Sequence, residues 1–508
     1  MITEVDLLAA LRRYWGYDGF RPMQERIVTS ILSGNDVAVV MPTGGGKSLC
    51  YQLPAAATDG TAIVISPLIA LMQDQAAHLA QMGIPAAILN STFTQAEQSS
   101  IIRSAIRGAY RLLYLSPERL ARQDTIDWLS RVPVSFFAID EAHCISEWGH
   151  EFRPEYRQLS RLRDLFPDKP IAAFTASATR QVRHDILQQL KLDQPHKYIL
   201  SFHRPNLRYL VKLSDSKTQP KLLLAALAEH AGSNAIVYAP TIKSVESTVE
   251  SLKSHGIPAI AYHGKMENSL RQRNQELWMS EEVPVLVGTL AFGLGINKPS
   301  VRTVIHLSMP KSIEQYYQEA GRAGRDGLPA DCALLWQKKD AGLLAHFTEQ
   351  LQNSHERDNA WERYRIIRRY VESEQCRHHQ ICMHFGETPK WERCGMCDVC
   401  QSVPGWFNGK PPARTKISIA PVPAPVRAAR PLKEGDEDLI AHMKKWRREV
   451  AQARGIPAFM ILHDTTLLDL CRKEPGDLSE LLHVTGIGER KAELYGSEIL
   501  KALAGFRK

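Results

Sequence analysis

Short runs of apolar, largely β-branched residues recur along the first two thirds of the chain. They fall at 37–40, 62–65, 111–115, 136–139 and 171–174, and again at 235–238, 259–262, 285–287, 304–307 and 333–336. Each run is followed by a stretch whose apolar positions are three or four apart. Continuous apolar runs alternating with amphipathic helical patterns predict a parallel sheet covered by helices on both faces. Two such series predict two tandem α/β lobes, residues 1–202 and 203–336, joined near 201–205. Charged, helix-patterned residues follow to 375, and a cysteine cluster ends at Cys400, which predicts a third unit, 337–403. Leu439, Met443, Trp446 and Val450 restore helical spacing, so 434–508 reads as a small all-α module. Between these units, 404–433 holds seven prolines, six lysines or arginines and no acid. Such a composition builds no core and predicts an extended basic linker.

A chain of 508 residues is long enough for several cores, and 44% hydrophobic with 23% charged residues is ordinary for a folded protein. A net charge of +8 permits a polyanionic partner without demanding one. No run of about 18 apolar residues occurs, and the segment Met1 to Asp6 lacks the basic region of a signal peptide. The sequence therefore predicts a protein that neither crosses a membrane nor is exported. Five of the nine cysteines lie within 376–400. That placement predicts metal ligation in a reducing compartment, the cytoplasm or nucleoid of a bacterium or the nucleus of a eukaryote, rather than disulfides.

Two segments carry phosphate chemistry. Met41-Pro42-Thr43-Gly44-Gly45-Gly46-Lys47-Ser48 joins an apolar run to a helical pattern. Gly44, Gly45 and Gly46 let backbone N–H groups converge on phosphate oxygens, and Thr43 belongs to the same turn. Lys47 would reach the β and γ phosphates of ATP, and Ser48 would ligate Mg²⁺. Met41 stands where the strict P-loop spelling has glycine. Downstream, Asp140 and Glu141 close an apolar strand; Asp140 would hold Mg²⁺ and Glu141 would orient or deprotonate the attacking water. Arg322 and Arg325, three apart in the second lobe and hence on one face of a helical turn, would bring positive charge to the departing phosphate. Hydrolysis would then depend on closure of the cleft.

Cys394, Cys397 and Cys400 repeat at intervals of three, and Cys376 is a fourth thiolate. Four sulfurs suit a structural Zn²⁺ with no open position, and an iron–sulfur cluster is the rival. Cys382 reads as a packed thiol, and His378, His379 and His384 are lower-ranked ligands. Trp148 and Arg153 follow Glu141 closely and could stack on the bases of a single strand. Core packing is the usual alternative for Trp148 and Phe152.

Taken together, the motifs between Phe20 and Gly327 resemble the core of the RecQ DNA helicases, within helicase superfamily 2. Gly16 to Gln24 is similar to the family's adenine-recognition motif. There the resemblance implies Tyr17 stacked on the base, Gln24 bonded to its edge, and Arg21 among the nucleotide contacts. Ser66-Pro67-Leu68-Ile69 and Ser116-Pro117-Glu118-Arg119 resemble strand-contacting motifs, Phe174 to Thr179 the motif linking ATP state to strand binding, and Thr289 to Pro299 motif V. Trp148 to Tyr156 resembles the aromatic-rich loop that separates this family from the DEAH RNA helicases. The resemblance implies DNA contacts by Ser66, Pro67, Trp148, Phe152, Arg153 and Thr289, two RecA-like lobes, and Zn²⁺ on Cys376, Cys394, Cys397 and Cys400.

Ser177 stands where the family more often has threonine, and Tyr238 to Ile242 lacks the Ser-Arg of motif IV. Residues 401–433 are too few and too rich in proline for the family's winged-helix domain. The tail from Leu439 resembles an HRDC domain, notably at Arg454 to Phe459 and Thr485 to Lys491. Gly486-Ile487-Gly488 could offer N–H groups to a phosphate, beside a basic face of Lys444, Lys445, Arg447 and Arg448. The implied activity is ATP-driven 3′–5′ movement on single-stranded DNA, with unwinding of forked duplexes in recombination and repair. The alternative is a DNA-stimulated ATPase that anneals or remodels DNA.

Overall fold

A computed structural model describes residues 4–90, 93–149, 151–289, 298–401, 403–408, 436–454 and 458–506. His150 and most of the motif V segment, 290–297, lie outside them, as does the linker beyond Asn408.

The first sheet has seven strands: β1 (Val37–Val40), β2 (Thr61–Ile65), β3 (Ala86–Leu89), β4 (Leu112–Leu115), β5 (Val134–Ile139), β6 (Ile171–Thr175) and β7 (His196–Ile199). Their order is β3-β4-β2-β5-β6-β1-β7, and every pairing is parallel. The second sheet has six: β8 (Leu207–Leu213), β9 (Asn234–Tyr238), β10 (Ala259–Tyr262), β11 (Val285–Gly288), β12 (Val301–His306) and β13 (Ala330–Trp336). Their order is β10-β11-β9-β12-β13-β8, again all parallel. The two-lobe α/β fold expected from the alternating pattern is what forms. Three strands escaped that pattern, β3, β7 and β8, and all three are sheet edges. In β7 only Tyr198 is buried, so the run that burial on both faces imposes on inner strands has no cause there.

The cysteine-bearing unit wraps the inter-lobe crossing. Phe385 stacks on Phe202 at 4.4 Å between ring centres. The Glu387 carboxylate accepts from the Ser201 hydroxyl and the Phe202 N–H, each at 2.7 Å. Asp398 donates its N–H to the Tyr209 carbonyl at 3.0 Å and is gripped by the buried guanidinium of Arg377 at 2.9 Å. Trp406 and Phe407, which the proline-rich composition assigned to an extended linker, are instead buried against the core of the second lobe. Two aromatic rings gain more from burial than their surroundings lose.

The terminal module, helices Asp436–Arg454, Ala458–Ile461, Asp464–Lys473, Leu478–Leu481 and Glu489–Phe506, has its own core of Leu439, Met443, Leu467, Leu470, Tyr495 and Leu503. It touches both lobes. The Gly486 N–H donates to the Gly16 carbonyl at 2.8 Å. A Cβ at Gly16 would meet the Gly488 nitrogen at 2.5 Å, and one at Gly488 would meet the Arg12 carbonyl at 2.7 Å. Arg447 is not on a solvated face: it is 1% exposed and pairs with Asp464 at 2.7 Å and with Glu281 of the second lobe at 3.0 Å. Lys298 joins this cluster, pushed down to about 7 by burial against the pull of Glu281. Removing one member of a buried ion pair leaves the other uncompensated and costs about 3–5 kcal/mol. Arg447→Ala is therefore expected to raise amide exchange at 462–464 by more than about a hundredfold. Unchanged exchange there would contradict the pairing.

Candidate nucleotide and strand site

The turn after β1 is shaped by its glycines. Gly44 and Gly46 have φ of +80° and +88°, in the left-handed region. Gly46 precedes the helix Lys47–Ala57, so the turn delivers Lys47 and Ser48 at a helix start. A Cβ on Gly45 would meet Met41 Cγ at 2.5 Å. Met41 thus fills the first position from beneath, and its carbonyl accepts from Lys47 Nζ at 3.1 Å. Burial holds the Lys47 ammonium below its ordinary range, opposed by Glu141 and Asp140 and reinforced by Arg325. Four of the residues singled out for catalysis therefore share one electrostatic environment.

Asp140 sits at the end of β5, and its carboxyl group is made a weaker acid, pushed up to about 7, by burial first and by Glu141 second, against Lys47. Its backbone carbonyl is fixed by the Tyr156 hydroxyl at 2.9 Å. Glu141 adopts φ +48°, a strained setting for a side chain with a Cβ. Ser48 Oγ accepts from Gln75 at 3.2 Å, and Gln75 accepts from Tyr51 at 2.8 Å. Gln75 lies on the helix Ile69–Gln81, which follows Ser66 and Pro67.

The second lobe closes the site. The helix Ile313–Ala320 ends before the arginines, so Arg322 and Arg325 lie on the turns after it rather than on one helical face; Gly324 at φ +53° redirects the chain between them. Arg325 packs on the P-loop, its Cα 3.2 Å from where a Cβ on Gly44 would stand. Burial, Arg322 and Arg204 push the Arg325 guanidinium down to about 9. Arg322 is 7% exposed. The sequence reading missed Arg204. From the crossing between lobes it donates to the Thr43 carbonyl at 2.6 Å and the Gly324 carbonyl at 2.9 Å, tying the P-loop to the arginine turn.

A hydrogen-bonded path joins the acids to the second lobe. His143 Nδ1 lies 3.3 Å from Glu141 Oε2 and 2.9 Å from the Thr175 hydroxyl. That hydroxyl accepts from the Ser177 N–H at 3.3 Å, and Ser177 Oγ accepts from Gln318 at 2.8 Å. Serine at 177 thus provides the hydroxyl the path requires.

At the base-recognition end, Gln24 is 2% exposed, accepts from the Arg21 N–H at 2.9 Å and donates to the Gly46 carbonyl at 3.3 Å. Arg21 donates to the Gly44 carbonyl at 2.7 Å. Tyr17 is partly buried next to Gly16. Among the strand candidates, Trp148 is 46% exposed, its ring 5.4 Å from that of His355. Phe152 lies under the Arg157 guanidinium at 5.2 Å, and Arg153 lies 3.7 Å from Glu118. Ser66 is buried after β2, with Pro67 partly buried beside it; Thr289 follows β11 and donates its N–H to the Tyr262 carbonyl.

The sulfurs of Cys376, Cys394, Cys397 and Cys400 all lie within 4.8 Å of one another. The Arg377 N–H points to Cys397 Sγ and the Met396 N–H to Cys394 Sγ, each at 3.4 Å. Hydrogen bonds from Cys394 and Cys397 push the Cys376 thiol down to about 3. Four converging sulfurs with backbone donors fit a tetrahedral cation. Cys382 stands outside the set, its thiol pushed up by burial. His378 is bonded to the Arg204 carbonyl at 3.1 Å and His384 to Glu314 at 2.6 Å. Among the described residues no helix is long and apolar enough to cross a membrane. In the tail, the Gly486 and Ile487 N–H groups expected for a phosphate are engaged by the Gly16 and Val484 carbonyls.

Comparison with known proteins follows this division. Family profiles match residues 21–185 (DEAD/DEAH box helicase), 218–327 (helicase conserved C-terminal domain), 338–401 (RecQ zinc-binding) and 436–503 (HRDC domain). The chain is 34% identical to the ATP-dependent DNA helicase RecQ of Pasteurella multocida (strain Pm70), covering all of this chain and 94% of the relative. It is 33% identical to that of Bacillus subtilis (strain 168), covering 98% of each. Among solved structures, the DUF1998 helicase MrfA bound to DNA has a TM-score of 0.55 at 19% identity, over 66% of this chain and 51% of that one, a likeness of fold.

Proposed function

The chain belongs to the RecQ family of ATP-dependent DNA helicases, and on that premise we propose that it couples ATP hydrolysis to 3′–5′ movement on single-stranded DNA and to duplex unwinding, in recombination and repair. The observation that supports this most is the composite site: Arg325 of one lobe rests on Gly44 of the other. In this reading the P-loop from Thr43 to Gly46 and Lys47 take the β and γ phosphates, and Tyr17, Arg21 and Gln24 take the base. Ser48 and Asp140 hold Mg²⁺, which supplies charge neutralisation on the phosphates. Glu141 orients water, while Arg322 and Arg325 stabilise the departing phosphoryl group. Zn²⁺ on the four cysteines holds the crossing between lobes.

The path from Glu141 through His143, Thr175 and Ser177 to Gln318 gives strand engagement a route to the acid. Trp148 starts the loop beside it, and its exposed face suits base stacking. Trp148→Ala is expected to keep basal ATP turnover and to lose at least about tenfold of its stimulation by single-stranded DNA; a mutant stimulated like the parent would remove Trp148 from the coupling.

A second reading, a translocase that anneals or remodels DNA with weak unwinding, draws on a length difference. The alignment with the Pasteurella relative runs over 603 positions, whereas this chain supplies 508 residues. At least about 95 positions of that alignment therefore have no counterpart here. Strand displacement with Mg²⁺ and ATP decides between the readings. Unwinding of a 3′-tailed but not a 5′-tailed duplex is expected, and ATP turnover without separation of either favours the second.

A further inference from the structure

All strands of the second sheet run parallel, so the C-terminal ends of β11, β9, β12, β13 and β8 line one edge in that order. Thr289, a candidate strand contact, follows β11. At the far end of the same edge, beyond β13 and β8, lies an open cleft of about 810 Å³. Lys212, Lys221, Lys338 and Lys339 line it, against a single acid, Asp215. That carboxylate is committed to its own backbone, accepting from the Lys217 and Thr218 N–H groups at 2.8 and 2.7 Å. Lys221, Lys338 and Lys339 are exposed and make no salt bridge among the described residues. Lys212 is held in place by the Phe407 carbonyl and ring. Four lysines against one committed carboxylate give the cleft an excess of positive charge, which suits a polyanion.

Two features identify the polyanion. The lining contains no aromatic residue, so the stacking platforms that single strands require are missing. Lysines also meet phosphates as point charges, without reading bases. The distance from β11 to β8 is four strand spacings, about 19 Å, or roughly five to six base steps of duplex. Resting on the function proposed above, we infer that this cleft is a second nucleic-acid site, gripping the backbone of the duplex that lies ahead of the single-stranded track.

The test uses the full chain with Lys221→Gln, Lys338→Gln and Lys339→Gln combined, and fluorescence anisotropy across a range of salt. The probes are a duplex bearing a 3′ single-stranded arm and the arm alone. Affinity for the tailed duplex is expected to fall about tenfold near 0.1 M salt, with the salt slope reduced by roughly two to three, while the arm alone binds within twofold of the parent. The corresponding triple lysine-to-arginine variant should restore tailed-duplex binding. Equal loss on both probes, or no loss on the tailed duplex, overturns the inference while sparing the proposed function. Failure of the parent to bind either probe overturns both. An acidic peptide captured by the cleft, with tailed-duplex affinity unmoved by the substitutions, would assign the surface to a protein partner instead.

Discussion

Arg325→Ala is expected to lower the DNA-stimulated turnover of Mg·ATP by about a thousandfold, roughly 4 kcal/mol of transition-state stabilisation. Nucleotide affinity should change only severalfold. Arg325 lies on the P-loop, yet burial, Arg322 and Arg204 push its guanidinium down to about 9. Three guanidiniums at one site are costly together and gain most when negative charge is concentrated between them. That concentration peaks as the γ-phosphoryl group departs, so the loss should fall on kcat rather than on binding. Lysine at 325 should recover only part of the rate, because a point charge cannot reproduce the planar fork. Steady-state hydrolysis alongside binding of a fluorescent nucleotide separates the two effects; a kcat within threefold of the parent would remove Arg325 from the chemistry.

Cys397→Ser is expected to lower the thermal midpoint by about 10 °C or more and to release bound metal, with ATP turnover failing as a consequence. Cys397 is 1% exposed and its sulfur accepts the Arg377 N–H. Arg377 in turn clamps Asp398, whose N–H reaches the Tyr209 carbonyl on β8. The sulfur cluster is thus three bonded steps from the strand that starts the second lobe. Loss of the cation should loosen the angle between lobes before it disturbs either sheet. Calorimetry with metal analysis is the check: about one zinc per chain in the parent, and less in the variant. A soluble variant with the parental midpoint would exclude a structural role, and visible absorbance in the parent would point to iron and sulfur instead.

Inner strands were legible because burial on both faces forces an apolar run; β7 was not, because only Tyr198 of its residues is buried, and β3 and β8 were missed at other edges although the edge strand β10 was read. The P-loop and the acid pair could be read because phosphate and metal chemistry tie particular residues to short spacings. Arg204 obeys no such spacing. Its importance comes from where the crossing between lobes happens to pass, and only the fold brings it within reach of Thr43 and Gly324. Arg447 misled for a related reason. In a run of basic residues it is indistinguishable from its neighbours, and the acids that bury it, Glu281 and Asp464, come from distant parts of the chain. Trp406 shows the limit of composition: the prolines around it are read easily, but the apolar face awaiting the ring belongs to another segment.

The meeting of Gly16 with Gly486 and Gly488 involves main-chain atoms on both sides, one residue before Tyr17. Such a seam has no intermediate setting. A single methyl group at Gly16 or Gly488 would part it, and the part freed would be the one resting beside the base-recognition motif. Two α-hydrogens keep the tail seated on the first lobe, while Arg447 holds it to the second.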